Sequence, residues 1–204
     1  MSLANLSFKL FDNSALTTPT PPTIQFTHQT DLSDNPQDRR FWFGSPTAGR
    51  RLQANSNPGV ANITITPTDI LPVWQASTTY TIGQTREPTP NNGFRYVVDT
   101  PGTSGATQPT WPTTIGSTVV DGGVLWRCVA KTHEPSEIKL ALTEAGLAGA
   151  TAGAALVLGT DVLSGTANAL EVWMRVTNTV TTVSSNSAQP EIALAINEVI
   201  EGAV

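Results

Sequence analysis

Apolar and polar residues alternate with a period of two in short runs spread along the chain, the pattern of strands that bury one face. Leu6, Phe8 and Leu10 carry the first run, within Leu3–Leu10, and Thr23–His28 alternates again. Between them, Thr17-Thr18-Pro19-Thr20-Pro21-Pro22 lacks the amide donors of a full ladder and reads as a connector. Arg39–Gly44 places an aromatic strand directly before the Ser45-Pro46 turn, and Asn57-Pro58-Gly59 is a turn ahead of a strand from Val60 to Thr66. Alternation returns at Ile138–Leu142, at Leu156–Leu158, at Leu170–Val176 and, as Ile192, Leu194 and Ile196, within Glu191–Ile200. Ala145–Ala155 is rich in alanine, but Gly146, Gly149 and Gly153 recur too often for a stable helix, so a loop or single turn is expected.

Between these flanks the character of the chain changes. Trp74, Trp111 and Trp126 crowd into Val73–Val129 together with both tyrosines, Tyr80 and Tyr96. Neither flank alone has enough strands to cover a sandwich, whereas together they supply about seven to nine. The predicted fold class is therefore all-β: a discontinuous β-sandwich from residues 1–72 and 131–204, with residues 73–130 inserted as a small aromatic-rich β module.

Composition supports that picture and narrows the partners. Charged residues make up 13% of the 204-residue chain, while 16 Gly, 15 Pro and abundant threonine favour short strands and many turns. A net charge of −5, with basic residues in scattered pairs such as Arg39-Arg40 and Arg50-Arg51, leaves no stripe to neutralise phosphates, so nucleic acid is not an expected partner. Cys128, the single cysteine, sits in the apolar-flanked run Val124–Val129 and reads as a buried strand thiol, which excludes a disulfide framework. The first residues lack a basic stretch leading into an apolar one, and no run approaches the ~18 apolar residues that span a bilayer, so a soluble chain without a membrane partner is expected.

Candidate chemistry is sparse. His28 and His133 lie in polar, loop-like contexts without a nucleophile elbow and read as surface histidines. Nothing singles out a pair of carboxylates facing across a cleft. Asp31, Asp34 and Asp38 lack the order of a calcium loop and read as a solvated loop with turn roles. Gly102, Gly105, Gly122 and Gly123 are turn glycines rather than a phosphate cradle. No catalytic residue, metal-ligand set or cofactor is expected, and the chain reads as a non-enzyme.

The aromatic set is what remains. Trp74 opens the insert and Trp126 lies in its last apolar strand, and a module this small needs large rings to make a core at all, so both are expected inside. Trp111 is flanked by Pro109 and Pro112 in a threonine-rich loop that would hold its ring stiffly at the surface, making it the candidate contact with a protein or sugar partner. Tyr80 and Tyr96 join it as candidate contact residues, although a tyrosine at the rim of a small core fits packing and contact equally.

These residues also carry a resemblance. The ordered set Trp74, Tyr80, Gly83, Gly93, Tyr96, Pro101-Gly102-Thr103-Ser104-Gly105, Pro109-Thr110-Trp111-Pro112, Asp121-Gly122 and Leu125-Trp126 resembles small modules of phage virion proteins. It is also similar to short chitin- and cellulose-binding modules, with their opening Trp, Tyr-x-x-Gly turn and later Pro-Trp. In the flanks, Phe43-Gly44-Ser45-Pro46, Asn57-Pro58-Gly59, Ile138-Lys139-Leu140-Ala141 and Leu158-Gly159 resemble stretches of tailed-bacteriophage structural proteins of capsid, neck or tail. The resemblance implies a virion component, assembled in the bacterial cytoplasm, that binds other virion proteins and forms homo-oligomers in the particle. The alternative it implies is a carbohydrate-recognition or host-receptor-binding protein.

Overall fold

A computed structural model describes residues 6–29, 31–180 and 191–204. Along the first part of the chain lie β1 (Lys9–Phe11), β2 (Gln37–Gly44), β3 (Arg50–Ala54) and β4 (Ile63–Asp69). The middle part contributes β5 (Thr79–Tyr80), β6 (Thr85–Arg86), β7 (Phe94–Thr100), β8 (Gly102–Thr103), β9 (Thr118–Asp121) and β10 (Val124–Lys131). The last part holds β11 (Ile138–Ala141), β12 (Leu156–Gly159), β13 (Asp161–Leu163), β14 (Leu170–Val176), β15 (Ile192–Ile196) and β16 (Val199–Ala203). The chain is all-β, with antiparallel sheets none of which, among the described residues, closes into a barrel, an arrangement that accords with a β-sandwich. Its helical content among the described residues is confined to short 3-10 turns, so no helix there is long and apolar enough to cross a membrane.

Two compact units divide the chain. The larger is Met1–Thr68, Pro135–Thr179 and Ala193–Val204; the smaller is Asp69–Glu134 with Val180–Ile192. The smaller unit thus begins before the expected Val73 and ends beyond Ala130. It also takes in a late segment that composition does not mark. One reason is Glu191: its carboxylate accepts from Arg95 at 3.0 Å and from the His133 amide at 2.6 Å, and its carbonyl accepts from the Ile70 amide at 2.9 Å.

In the larger unit, a four-stranded sheet runs β1-β2-β14-β11, and two three-stranded sheets run β12-β4-β15 and β13-β3-β16. Alternation sets which residues go inward. Phe41 of β2 stands opposite Val172 of β14, both fully enclosed, and Leu140 of β11 stands opposite the buried Met174. Leu52, Ala54, Ile63, Ile65, Leu158, Val162 and Val199 bury the inward positions of the other two sheets. Each such aliphatic or aromatic side chain contributes roughly 1.5–3 kcal/mol on leaving water.

The alternating runs do not all become strands. Of Leu3–Leu10, the part before Leu6 lies outside the described residues; Leu6 and Phe8 are buried, yet the ladder begins only at Lys9, pairing with Gly44. Thr23–His28 keeps its alternation of burial, with Ile24, Phe26 and His28 half-buried, but makes no ladder, because no neighbouring strand offers it backbone partners. Conversely β3 and β13 form where no strand was expected, and the expected run Glu191–Ile200 divides into β15 and the start of β16. Ala145–Leu147 is a single 3-10 turn that buries Leu147, in line with a loop or turn rather than a helix.

The two ends of the larger unit are tied together. The Ser7 amide donates to Glu201 Oε2 at 2.7 Å and its hydroxyl donates to Oε1 at 2.6 Å, while the Ser45 hydroxyl lies 2.6 Å from that of Ser7. Glu201 belongs to β16, which pairs along β3 from Val199–Ala54 to Ala203–Arg50.

Candidate functional site

The smaller unit is built around a four-stranded sheet, β6-β7-β10-β9, with the β5-β8 ribbon as a second element. Period-two alternation in β7 and β10 turns Tyr96, Val98, Val124, Trp126 and Cys128 to one side, where they pack with Trp74 and Tyr80 into a single hydrophobic cluster. The β7–β10 ladder shifts register between Leu125 and Trp126 and between Cys128 and Ala130, leaving Asp99 and Val129 unpaired in it.

A buried carboxylate organises the rings. Asp121, at the end of β9, is 4% exposed, and its Oδ2 accepts from the indole N–H of Trp74 at 2.7 Å and of Trp126 at 3.0 Å. Its Oδ1 accepts from the Gly105 amide at 2.7 Å. The turn that places it needs glycine: Gly122 has φ +59°, and a Cβ there would stand 2.5 Å from the Thr103 carbonyl oxygen. Three donors converging on one carboxylate are a structural node, one that fixes both tryptophans in angle as well as depth.

Against this geometry the three expected contact residues move inward. Tyr80 and Tyr96 are 1% and 0% exposed, which corrects their assignment as contact residues. The Tyr80 hydroxyl donates to the Gln75 carbonyl at 3.3 Å and accepts from the Gln75 amide at 2.7 Å. The Tyr96 hydroxyl donates to the Pro112 carbonyl at 2.9 Å and accepts from Asn92 at 2.8 Å, and burial pushes its pKa up. Trp111 is half-buried rather than presented: its ring lies 4.4 Å from Tyr96 and 5.6 Å from Trp126, edge-on to the latter, and its indole N–H donates to Gln108 at 3.0 Å. The flanking prolines stiffen the loop, but Pro112 is held by Tyr96, so the loop folds the ring down onto the core. Trp74 and Trp126 are core residues, as expected.

Among the described residues, the groups that chemistry requires do not converge. Cys128 is buried on β10 and burial raises its thiol pKa, the opposite of what an activated nucleophile needs. His28 is not the surface histidine expected: its side chain is 7% exposed, stacked on Phe26 at 6.5 Å, with Nδ1 3.8 Å from Asp34. His133 is half-buried. Asp31 accepts from the Ser33 amide at 3.0 Å, a turn role that lowers its pKa. Among the described residues no group of three or more His, Cys, Asp or Glu is arranged to hold a metal ion. An open groove of about 300 Å³ beside Leu158, Val162 and Leu170 offers little polar chemistry, since Asp161 on its wall is engaged by Arg51 at 2.6 Å.

One surface feature was missed in the sequence. On the outward positions of β2 and β14, the Arg40 guanidinium sits 4.5 Å from the Trp42 ring centre and 5.3 Å from that of Trp173. Glu171 completes the stripe, 3.6 Å from Arg40 and accepting from the Trp173 indole at 3.0 Å. Next along the same face, Arg175 grips Asp38 with two bonds of 2.7 and 2.6 Å, which lower the Asp38 pKa. The signal was present as alternation: Arg40 and Trp42 are the outward partners of the inward Phe41 and Phe43, and Trp173 stands opposite Arg40 across the ladder.

Compared with known proteins, the chain matches no protein-family model, no curated protein and no solved structure.

Proposed function

We propose that this chain is a structural component of a tailed-bacteriophage particle, a capsid decoration, neck or tail protein that works by binding neighbouring virion subunits. The observation that carries the reading is the half-exposed Trp42–Arg40–Trp173 stripe on the larger unit. Tryptophan and arginine are the residues most enriched at the centres of protein interfaces. A sugar platform, by contrast, needs an open ring face, and here the guanidinium is already stacked between the two indoles. Bidentate Asp38–Arg175 pairing beside the stripe supplies the polar rim that such an interface uses.

The carbohydrate reading loses its support in the smaller unit, where Tyr80 and Tyr96 are enclosed and Trp111 faces its own core. In the virion reading the smaller unit is a module packed around its own aromatic core, not a sugar site. The same reading supplies homo-oligomeric assembly in the host cytoplasm and retention in the particle.

The test is particle composition. Density-banded virions of the producing phage should contain this chain at a constant copy ratio, and the folded variant Arg40→Ala/Trp173→Ala should be incorporated poorly. Particles of normal density and infectivity that lack the chain would overturn the proposal.

A further inference from the structure

Glu87 occupies an unusual position in the smaller unit. Its backbone receives the incoming chain: its amide donates to the Pro72 carbonyl at 3.2 Å, its carbonyl accepts from the Trp74 amide at 2.8 Å, and it bridges Val73 in parallel. Its side chain is enclosed, with the residue only 3% exposed. An ionised carboxylate in such a place needs a cation or several donors. What faces it is the reverse. The charges that act on Glu87 are those of Asp69, Glu134 and Glu191, all carboxylates, and the Arg95 guanidinium points to Glu191 at 3.0 Å. The neighbouring His133 also gives its amide to Glu191.

A single amide is shared between the two closest acids. Asn91 Nδ2 donates to Glu87 Oε2 at 2.7 Å and to Asp69 Oδ2 at 3.2 Å, while Asp69 Oδ1 is taken by the Leu71 amide at 2.8 Å. With both acids ionised, two like charges would meet across one amide in an enclosed site. With a proton on Glu87 the repulsion disappears and a hydrogen bond from Glu87 to Asp69 takes its place. We propose that Glu87 is a proton-operated latch: protonated, it closes the Asp69–Trp74 segment onto the smaller unit; ionised, it releases that segment.

Burial first, and Asp69 second, push the Glu87 pKa up to about 8. In the unfolded chain the same group ionises near its ordinary value of 4.5. The folded form therefore holds a proton that the unfolded form has lost between these values, and stability falls as pH rises across that window. The contribution is complete below the lower value and gone once pH has passed the upper one. The segment that opens is the one by which the chain enters the smaller unit.

The full-length protein can be titrated by NMR with isotope-labelled glutamate carboxyls, while hydrogen exchange at the Trp74 amide is followed in parallel. The expected result is one glutamate with a midpoint near 8, with Trp74 protection falling roughly tenfold or more across the same midpoint after correction for intrinsic exchange. In Glu87→Gln, that carboxyl signal should vanish and Trp74 protection should become independent of pH. The latch is overturned if no glutamate titrates above about pH 6. It is equally overturned if Glu87→Gln keeps the wild-type loss of protection. Should the variant fail to fold, the wild-type protein decides alone: a titration near 8 without loss of Trp74 protection rejects the proposal.

Discussion

Asp121 gathers the indoles of Trp74 and Trp126 and the Gly105 amide onto one carboxylate, so three buried donors depend on a single side chain. A buried donor left without a partner costs about 1–3 kcal/mol. Asp121→Ala is therefore expected to lower the urea midpoint of the smaller unit sharply, whereas Asp121→Asn, which keeps one acceptor oxygen, should cost less. Tryptophan fluorescence reads both, and equal midpoints for the two variants would show that the bonds carry little weight. Trp111 calls for a different expectation from the one its proline-flanked loop suggests. Truncation of an enclosed tryptophan costs roughly 3–5 kcal/mol, so the half-buried Trp111→Ala should cost about 2–3 kcal/mol and lower the melting temperature of its unit. An unchanged melting temperature would return the ring to the surface. Local sequence could place Trp74 and Trp126 inside, because a module this small needs large rings for its core and Trp126 lies in an apolar strand. It could not place Trp111, whose surroundings, Tyr96 and Trp126, arrive from two other strands.

At the scale of elements, close approach decides what the β5-β8 ribbon tolerates. Gly102 stands opposite Tyr80, and a Cβ on it would run into the Gly123 carbonyl, a backbone atom that cannot swing aside. Gly102→Ala is expected to destabilise the smaller unit by about 2–3 kcal/mol, in the range of overpacked sites. Gly149→Ala, with nothing within 4 Å of the added carbon, is the control and should be neutral or slightly stabilising. Thermal unfolding of the pair tests the contrast; equal effects would mean that the ribbon shifts to make room. Strands were legible where bulky inward residues recur, as in β2 with Phe41 and Phe43 and β14 with Val172 and Met174. β3 was hidden by the charged pair Arg50-Arg51 at its start, and β13 by its length of three residues. Thr23–His28 shows the converse: alternation records which side faces inward, but a strand also needs a partner with free backbone groups.

At the scale of the whole molecule, the chain passes between its two units four times, and the third passage brings Glu191 to the smaller one. Residues 69–134 expressed alone should therefore be less stable than the same segment with residues 180–192 supplied in cis. Glu191→Ala in the intact protein should weaken the smaller unit by about 2–4 kcal/mol, since it removes the acceptor of the little-exposed Arg95 guanidinium and of the His133 amide. Protease resistance of the two fragments, and the fluorescence-detected unfolding midpoint of Glu191→Ala, test this. Equal resistance with and without the late segment would confine Glu191 to a peripheral role.

The bonds from Ser7 to Glu201 carry a mechanical meaning. A pull applied upstream of Ser7 and downstream of Ala203 meets those two bonds and the β3-β16 ladder before it reaches any strand of the smaller unit. Tension then follows a path through the larger unit alone, and resistance is governed by the rate at which that clamp breaks. Asp69–Glu134 lies in series with the load only after β16 has peeled away, so the aromatic core around Asp121 stays unstrained while the clamp holds.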